Sequence, residues 1–221
     1  MVCNGEIYNY KNLIKENNFN LITKSDCEVI IHLYKIYGIE YTLELLDGVF
    51  SFFLYDTEMN TCYAARDPYG VRPLYYFIEN NLIGFASEMK SLYNLVKYKS
   101  NISEFNPGNY ITINNATVIN KYASFPCREL YYTEDKLNRE LIFYLSDAVR
   151  KRIEGTTDRP IACLLSGGLD SSLICSLVNK YYKNENNKLQ TYSIGLPGSE
   201  DLKYAKLVAD HLKTEHHEIV I

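Results

Sequence analysis

The sequence predicts two domains of different class: an α+β domain over residues 1–123 and, after a linker at 124–133, an α/β domain with a parallel sheet over 134–221. Three observations lead there. From Gly48 onward, aromatic and β-branched stretches are joined by short turns, the pattern of paired strands. From Ile161 the period becomes strand, helix, strand, helix, strand, which marks a parallel α/β sheet. Between them, residues 123–133 follow neither period. The 221-residue length exceeds the usual size of one domain, and 47% apolar with 23% charged residues is ordinary for a chain that buries a core.

Element by element, Val2 and Cys3 run straight into Asn4-Gly5-Glu6, and Tyr8 to Glu16 reads as a short helix. Ser25-Asp26-Cys27-Glu28 has the form of a capping box, with Ser25 bonding the Glu28 amide and the Glu28 side chain reaching back. Val29, Leu33 and Ile36 recur at helical spacing until Gly38, where a C-terminal glycine stops the helix, and a second short helix covers Tyr41 to Leu46. Val49 to Tyr55 is a strand covered on both faces, Thr61 to Arg66 its return. Pro68, Gly70 and Pro73 punctuate a loop before strands at Leu74 to Ile78 and Ile83 to Ala86; Glu88 to Leu95 reads as helix. A last pair of strands is predicted at Tyr110 to Ile113 and Thr117 to Asn120, giving a two-faced sheet with helices outside. In the second domain, Leu137, Leu141, Leu145 and Val149 form one stripe of a helix over Glu134 to Ile153. Strands at Ile161 to Leu165, Thr191 to Ile194 and His217 to Ile221 alternate with helices at Asp170 to Tyr182 and Glu200 to Leu212.

Composition excludes several function classes. A net charge of −4 gives no basic field for nucleic acid or an anionic membrane. The longest apolar runs, such as Gly48 to Tyr55, are too short to span a bilayer, and no basic-plus-apolar leader opens the sequence, so a cytoplasmic location is expected. Cys3, Cys27, Cys62, Cys127, Cys163 and Cys175 contain no C-x-x-C pair and are expected to be reduced thiols. His216 and His217 are adjacent in a strand, so they point to opposite faces and do not share a metal.

Leu164-Leu165-Ser166-Gly167-Gly168-Leu169-Asp170-Ser171-Ser172 leaves a buried strand and enters a helix. Two glycines allow close backbone approach, and the helix start presents free amides and a positive dipole end, so the segment reads as an anion site. Ser166, Ser171 and Ser172 can add hydroxyl donors. Asp170 is acidic in a place made for anions and either caps the helix or holds a divalent cation that accompanies phosphates. The plainer reading is a glycine turn between strand and helix. The loop has neither the Gly-Lys-Ser/Thr ending of a Walker motif nor G-x-G-x-x-G.

Ser166 to Ser172 resembles the pyrophosphate loop of the ATP pyrophosphatase superfamily. Within it, Thr191 to Leu202, Ala209 to Leu212 and Glu215 to Glu218 resemble glutamine-hydrolysing asparagine synthetases. Asn4 to Asn9, Ser25 to Ile30, Ala65 to Leu74 and Ala86 to Leu92 are similar to a class II glutamine amidotransferase domain, in the order that family has. The resemblance implies an incomplete Ntn-type αββα glutaminase sandwich over 1–123 and the first half of a PP-loop ATP pyrophosphatase domain over 134–221. It implies that Asn4 and Gly5 form an oxyanion hole, and that Asn4, Gly5, Glu6 and Asp26 bind glutamine. It implies an ATP site of Leu165, Ser166, Gly167, Gly168, Leu169, Asp170, Ser171 and Ser172 with Ile194, and Mg2+ held through the phosphates near Asp170. Arg66, Asp67, Arg72, Glu88 and Lys90 are read as structural.

The family's cysteine nucleophile lies well before its Asn-Gly-Glu segment. Cys3, beside Asn4, does not match that place, so the nucleophile is expected to be absent from these residues. The first glutaminase strands and, after Ile221, the second pyrophosphate motif and the aspartate-binding helices are also expected to be missing. The implied reaction is aspartate, ATP and glutamine to asparagine, AMP, pyrophosphate and glutamate through β-aspartyl-AMP. Expected partners are glutamine, ATP and aspartate, separate chains that carry the missing ends, and a second copy in a homodimer. Two other readings are a β-lactam-synthetase-like relative and an inactive remnant that binds nucleotide or a partner.

Overall fold

In this computed structural model, residues 1–79, 82–125, 132–156, 159–182 and 188–221 are described, and the chain divides into two units, Met1–Glu129 and Leu130–Ile221. Of the expected linker 124–133, residues 126–131 lie outside the described residues, and so does Cys127; Phe125 stacks on Tyr69 of the first unit with ring centroids 4.7 Å apart. The other five cysteines are free thiols. Among the described residues, no helix is long and apolar enough to cross a membrane.

The first unit is α+β. Its elements are β1 (Val2–Ile7), α1 (Tyr10–Asn17), α2 (Glu28–Leu45), β2 (Gly48–Asp56), β3 (Thr61–Arg66), β4 (Tyr75–Glu79), β5 (Leu82–Ala86), β6 (Ser103–Glu104), β7 (Asn109–Ile113) and β8 (Thr117–Lys121). Described residues form a five-stranded antiparallel sheet in the order β1-β2-β3-β7-β8 and a three-stranded antiparallel sheet in the order β5-β4-β6. Leu13, Val29, Ile30 and Leu33 of the helices pack on Ile7, Phe50, Phe52 and Leu54 at one face of the larger sheet. Phe53, Ala64 and Ile111 from that sheet meet Tyr76, Phe85 and Phe105 in a core between the sheets. Phe77, Leu92 and Ile102 form a smaller cluster with Tyr75 and Ala86 of the second sheet. Burial on both faces explains why Val49 to Leu54 reads as a nearly unbroken apolar run.

Local chemistry sets the boundaries. α1 starts at Tyr10 rather than Tyr8 because Tyr8 N–H donates to Asp47 O at 2.8 Å and Asn9 is tied to the α2–β2 junction, its Nδ2 donating to Leu45 O at 2.8 Å. Gly38 breaks α2 at φ 73°, ψ 177°, a conformation open to glycine, so the two helices expected there form with a kink between them. The capping box does not form: α2 begins at Glu28 without a side-chain cap. Glu28 instead accepts from the Ile22 and Thr23 amides, both at 2.6 Å, from the Thr23 hydroxyl, and from His32 Nε2 at 3.2 Å. The loop before the helix offers unsatisfied donors, and they outcompete the Ser25 amide for the carboxylate. Glu88 to Leu95 forms only a 3₁₀ turn over Met89–Leu92, because Leu92 alone is buried and no apolar stripe supports a longer helix.

Arg66 and Asp67 make a buried corner at the end of β3. Arg66 Nε donates to Arg72 O at 2.8 Å, Nη1 to Phe105 O at 2.6 Å and to Glu104 Oε1 at 2.7 Å, and Nη2 to Gly70 O at 2.8 Å. Asp67 accepts from the amides of Phe50 (3.2 Å), Tyr69 (3.0 Å), Val71 (3.1 Å) and Arg72 (3.0 Å). Both charges are thus satisfied in a structural role.

The second unit is α/β, with α3 (Glu134–Gly155), β9 (Ala162–Leu164), α4 (Leu169–Tyr181), β10 (Gln190–Gly195), α5 (Glu200–Leu212) and β11 (Glu215–Val220). Its described strands are parallel in the order β11-β10-β9. Val149, Leu165, Cys175, Val178, Leu189, Ala205 and Ala209 form the core. Of the stripe expected on α3, Val149 alone is buried there, while Leu137, Leu141 and Leu145 are exposed. His216 is buried on β11, its Nδ1 2.9 Å from Thr191 Oγ1 and its Nε2 3.1 Å from Ser193 Oγ, and burial pushes the imidazole below its ordinary value. His217 points the other way and stacks on Tyr192.

Hydrogen bonds from the Thr23 hydroxyl and the Ile22 amide hold the Glu28 carboxyl down to about 2, from an ordinary value of 4.5. A lowered carboxyl stabilises the fold above its unfolded value, and that stabilisation is lost as pH falls through the folded one. Glu28→Gln is therefore expected to be less stable than the parent near neutral pH, with the gap closing as pH drops from 4.5 to about 2. Denaturant unfolding of both proteins across that window checks it; a gap that persists unchanged in acid contradicts it.

Candidate functional site

In the first unit the candidate site is built on β1, an edge strand of the larger sheet. Gly5 lies opposite Phe50, and a Cβ there would meet Val49 O at 2.5 Å and Phe50 Cα at 2.7 Å, so close approach to β2 requires glycine. Ile7 N–H donates to Asp26 Oδ2 at 2.5 Å, and Cys27 Sγ sits 3.7 Å from Gly5 O. Backbone groups two residues apart face the same side of a strand, so the Gly5 amide, like that of Ile7, is directed away from β2 toward the Asp26–Cys27 segment. Hydrogen bonding to Cys3 and burial raise the Cys27 thiol well above its ordinary value, which keeps it protonated.

Asn4 and Glu6 emerge on one face of β1, the side opposite to that of Gly5. Asn4 Nδ2 donates to Ser87 Oγ at 3.1 Å. Of the four residues expected at this site, Asn4, Gly5 and Asp26 gather along one stretch of the strand, and Glu6 stands two residues from Asn4.

In the second unit, the candidate site is the loop between β9 and α4. Leu165 is buried and its N–H donates to Tyr192 O at 2.8 Å, which fixes the loop start to β10. Gly167 has φ 80°, and a Cβ would meet Ala205 N and Tyr204 Cβ of α5 at 2.5 Å. Gly168 is the N-cap of α4, where a Cβ would meet Ser166 Oγ at an ordinary 3.6 Å. Ser171 Oγ accepts from Ser166 N–H at 3.3 Å, lies 2.9 Å from Ser166 Oγ and donates to Gly168 O at 3.2 Å, closing the loop on the first helical turn. Asp170 does not cap the helix: Gly168 takes that position without a side-chain bond, and Asp170 is exposed in the first turn. Ser172 Oγ and Ser199 Oγ are buried without a hydrogen-bond partner at the starts of α4 and α5. Because β9 and β10 are parallel neighbours, both helices start at the same end of the sheet, and Ile194 lies near that end of β10. Crevices at the carboxyl ends of parallel strands receive ligands.

Residues 1–126 match the family described as the glutamine amidotransferase domain. The chain belongs to that family. Residues 141–221 of this amidotransferase chain match a second family, described as asparagine synthase. It is 40% identical to a glutamine-hydrolyzing asparagine synthetase of Gallus gallus, over 98% of this chain and 43% of that protein. A probable asparagine synthetase of Acanthamoeba polyphaga mimivirus is 37% identical, over 99% of this chain and 43% of that protein. The corresponding protein of Homo sapiens is 39% identical, over 98% and 43%. The amidotransferase chain thus spans about two-fifths of the length of these relatives.

Among the described residues of this amidotransferase, no group of three or more His, Cys, Asp or Glu comes together to hold a metal. Mg2+ typically uses one or two carboxylates and takes its other ligands from phosphates and water, so a single exposed Asp170 beside a phosphate loop fits it. Two site features were not anticipated from the sequence. Ser199 lies within Thr191 to Leu202 with no local signal of a role, and Ser87 is 83 residues from its partner Asn4, a separation no local pattern can signal.

The two loop glycines predict different outcomes. Gly167→Ala is expected to destabilise the second unit by at least about 2 kcal/mol, from overpacking against α5 and a left-handed backbone. Gly168→Ala, at φ −68° with an ordinary 3.6 Å contact to Ser166 Oγ, is expected to cost less than about 1 kcal/mol. Urea unfolding of the two variants checks this; equal losses contradict it.

Proposed function

We propose that these 221 residues are part of an ATP-dependent, glutamine-hydrolysing asparagine synthetase. The whole reaction would convert aspartate, ATP, glutamine and water to asparagine, AMP, pyrophosphate and glutamate, through β-aspartyl-AMP. The observation that carries this reading is the order of the two family matches in one chain, each on a folded unit with its own candidate site.

In the first unit, the Asn4 carboxamide and the Gly5 amide would donate to the oxyanion that forms when the glutamine side-chain amide is attacked. Glu6 and Asp26 would hold the amino-acid end of glutamine, with Asp26 accepting from its α-ammonium. The bond from Ile7 N–H occupies Oδ2 and orients the carboxylate. Cys3 is not assigned as nucleophile, since it lies in the strand adjacent to the oxyanion pair. Helices over one sheet and a second sheet beneath support an Ntn-type αββα sandwich for residues 1–123.

In the second unit, residues 134–221, a PP-loop domain is supported by the parallel sheet and the glycine loop. The amides of 166–168 and the start of α4 would receive ATP phosphates, with Ser166, Ser171 and Ser172 as hydroxyl donors. The backbones of Leu165 and Ile194 would contact the adenine nucleotide at the ends of β9 and β10. Asp170 would hold Mg2+ jointly with the phosphates, and the ion would neutralise charge as the α–β bond breaks. A cytoplasmic enzyme that acts as a homodimer completes the reading.

Kinetics of the full-length protein test it. Asp170→Ala is expected to reduce ATP-dependent pyrophosphate release at least about 100-fold, by removal of a transition-state charge partner. Asp26→Ala is expected to raise the KM for glutamine about tenfold or more, while synthesis from free ammonia continues. Pyrophosphate release that survives Asp170→Ala overturns the loop assignment. An unchanged glutamine KM in Asp26→Ala overturns the ammonium assignment.

A further inference from the structure

We propose that Ser87 is a positioning residue for the oxyanion hole of the first unit, aiming the Asn4 carboxamide at the reacting oxygen. The inference rests on the glutamine-hydrolysis reading. Asn4 Nδ2 donates to Ser87 Oγ at 3.1 Å. A carboxamide nitrogen carries two hydrogens, so this bond consumes one and leaves the second on the same nitrogen for a substrate oxygen. The last torsion of asparagine is broad and nearly two-fold, so an unrestrained carboxamide rotates freely. Rotated by half a turn, it would present its carbonyl oxygen to a developing negative charge. A hydrogen bond that holds the nitrogen end in place decides whether Asn4 stabilises or repels the oxyanion.

The position of Ser87 suits the task. It directly follows β5, an edge strand of the smaller sheet, whereas Asn4 lies on β1, an edge strand of the larger one. The bond therefore ties the candidate site to the smaller sheet, which shares a core with the larger one. Ala86, paired with Tyr75, packs against the Phe77–Leu92–Ile102 cluster and anchors the neighbouring backbone. A simpler role, capping of the 3₁₀ turn that follows, does not apply: Glu88 is the N-cap there, and no side chain caps the turn.

The test is steady-state glutaminase kinetics of the full-length protein and of Ser87→Ala, Ser87→Thr and Asn4→Ala. Ser87→Ala is expected to lower kcat for glutamine hydrolysis about 10- to 100-fold, less than loss of an oxyanion donor itself. Its KM for glutamine should move less than about twofold, since only a transition-state contact is affected. Ser87→Thr, which keeps the hydroxyl, should recover kcat to within about threefold of the parent. In the Asn4→Ala background, Ser87→Ala should add little, because the two act as a unit. A parental kcat in Ser87→Ala, a loss seen only in KM, or additive losses in the double variant overturns the inference. Should Ser87→Ala fail to fold, a Ser87→Thr variant as impaired as Asn4→Ala overturns it equally. A parent protein without any glutaminase activity overturns the reading of the first unit itself, an outcome distinct from all of these.

Discussion

The first unit depends on the buried carboxylate of Asp67. It is fully inaccessible and gathers four backbone N–H groups, while its own N–H donates to Phe50 O at 2.8 Å. A charge so buried is tolerable only because its lone pairs are filled. The consequence reaches the candidate site in two steps. Asp67 clamps both backbone groups of Phe50 on β2, and Phe50 lies directly opposite Gly5 on β1. Gly5 and Gly48 then let the two backbones approach where a Cβ would sit 2.5 and 2.3 Å from its nearest neighbour, respectively. The strand edge that carries Asn4 and the Gly5 amide is thus positioned by a network on the far side of β2. Tyr122 completes it, donating to Arg66 O at 2.8 Å, its own phenol held well above the ordinary range by burial and the nearby Asp67 charge.

The second unit solves a different problem. Its candidate site lies where helix starts meet the ends of parallel strands, an arrangement that directs amides toward a proposed anion. Gly167 brings the loop against the backbone of α5, and the Leu165 bond to Tyr192 fixes it to β10. β10 in turn is held to β11 by main-chain pairing and by His216, whose ring bridges Thr191 and Ser193. Its low pKa follows from that burial, and the neutral ring can both donate to one hydroxyl and accept from the other.

Much of this was legible in the sequence because it rests on local chemistry. Gly38 was readable as a helix stop, since a positive φ needs glycine, and the run from Val49 to Tyr55 was readable as a strand with two covered faces. The alternation after Ile161 specified the parallel sheet, and the two glycines between Ser166 and Leu169 marked the turn from β9 into α4. What was not legible depended on partners outside the local pattern. Glu28 has the spacing of a capping box, but its carboxylate accepts from Ile22 and Thr23, and the Ser25 amide goes to the Thr23 hydroxyl. Glu88 to Leu95 has helical composition, but only Leu92 finds a core. The two-residue β6 exists because Tyr75 and Tyr76 offer it an edge, and nothing in Ser103-Glu104 announces that. The Asn4–Ser87 bond belongs to the same class.

The two candidate sites also differ in how they treat charge, and that difference bears on Asp170. On the proposed reading, the feature to be recognised at β1 is an ammonium, and Asp26, oriented by one backbone amide, would accept from it. At α4 the proposed ligand is polyanionic, and the helix start already supplies positive potential. An exposed carboxylate in that first turn would repel a phosphate chain if it acted directly. Its presence is compatible with anion binding only if a cation lies between the two. Among the described residues, Asp170 belongs to no group of three or more His, Cys, Asp or Glu side chains. On the proposed reading the ion would therefore arrive with the phosphates, and metal and nucleotide binding at this loop would be one event rather than two.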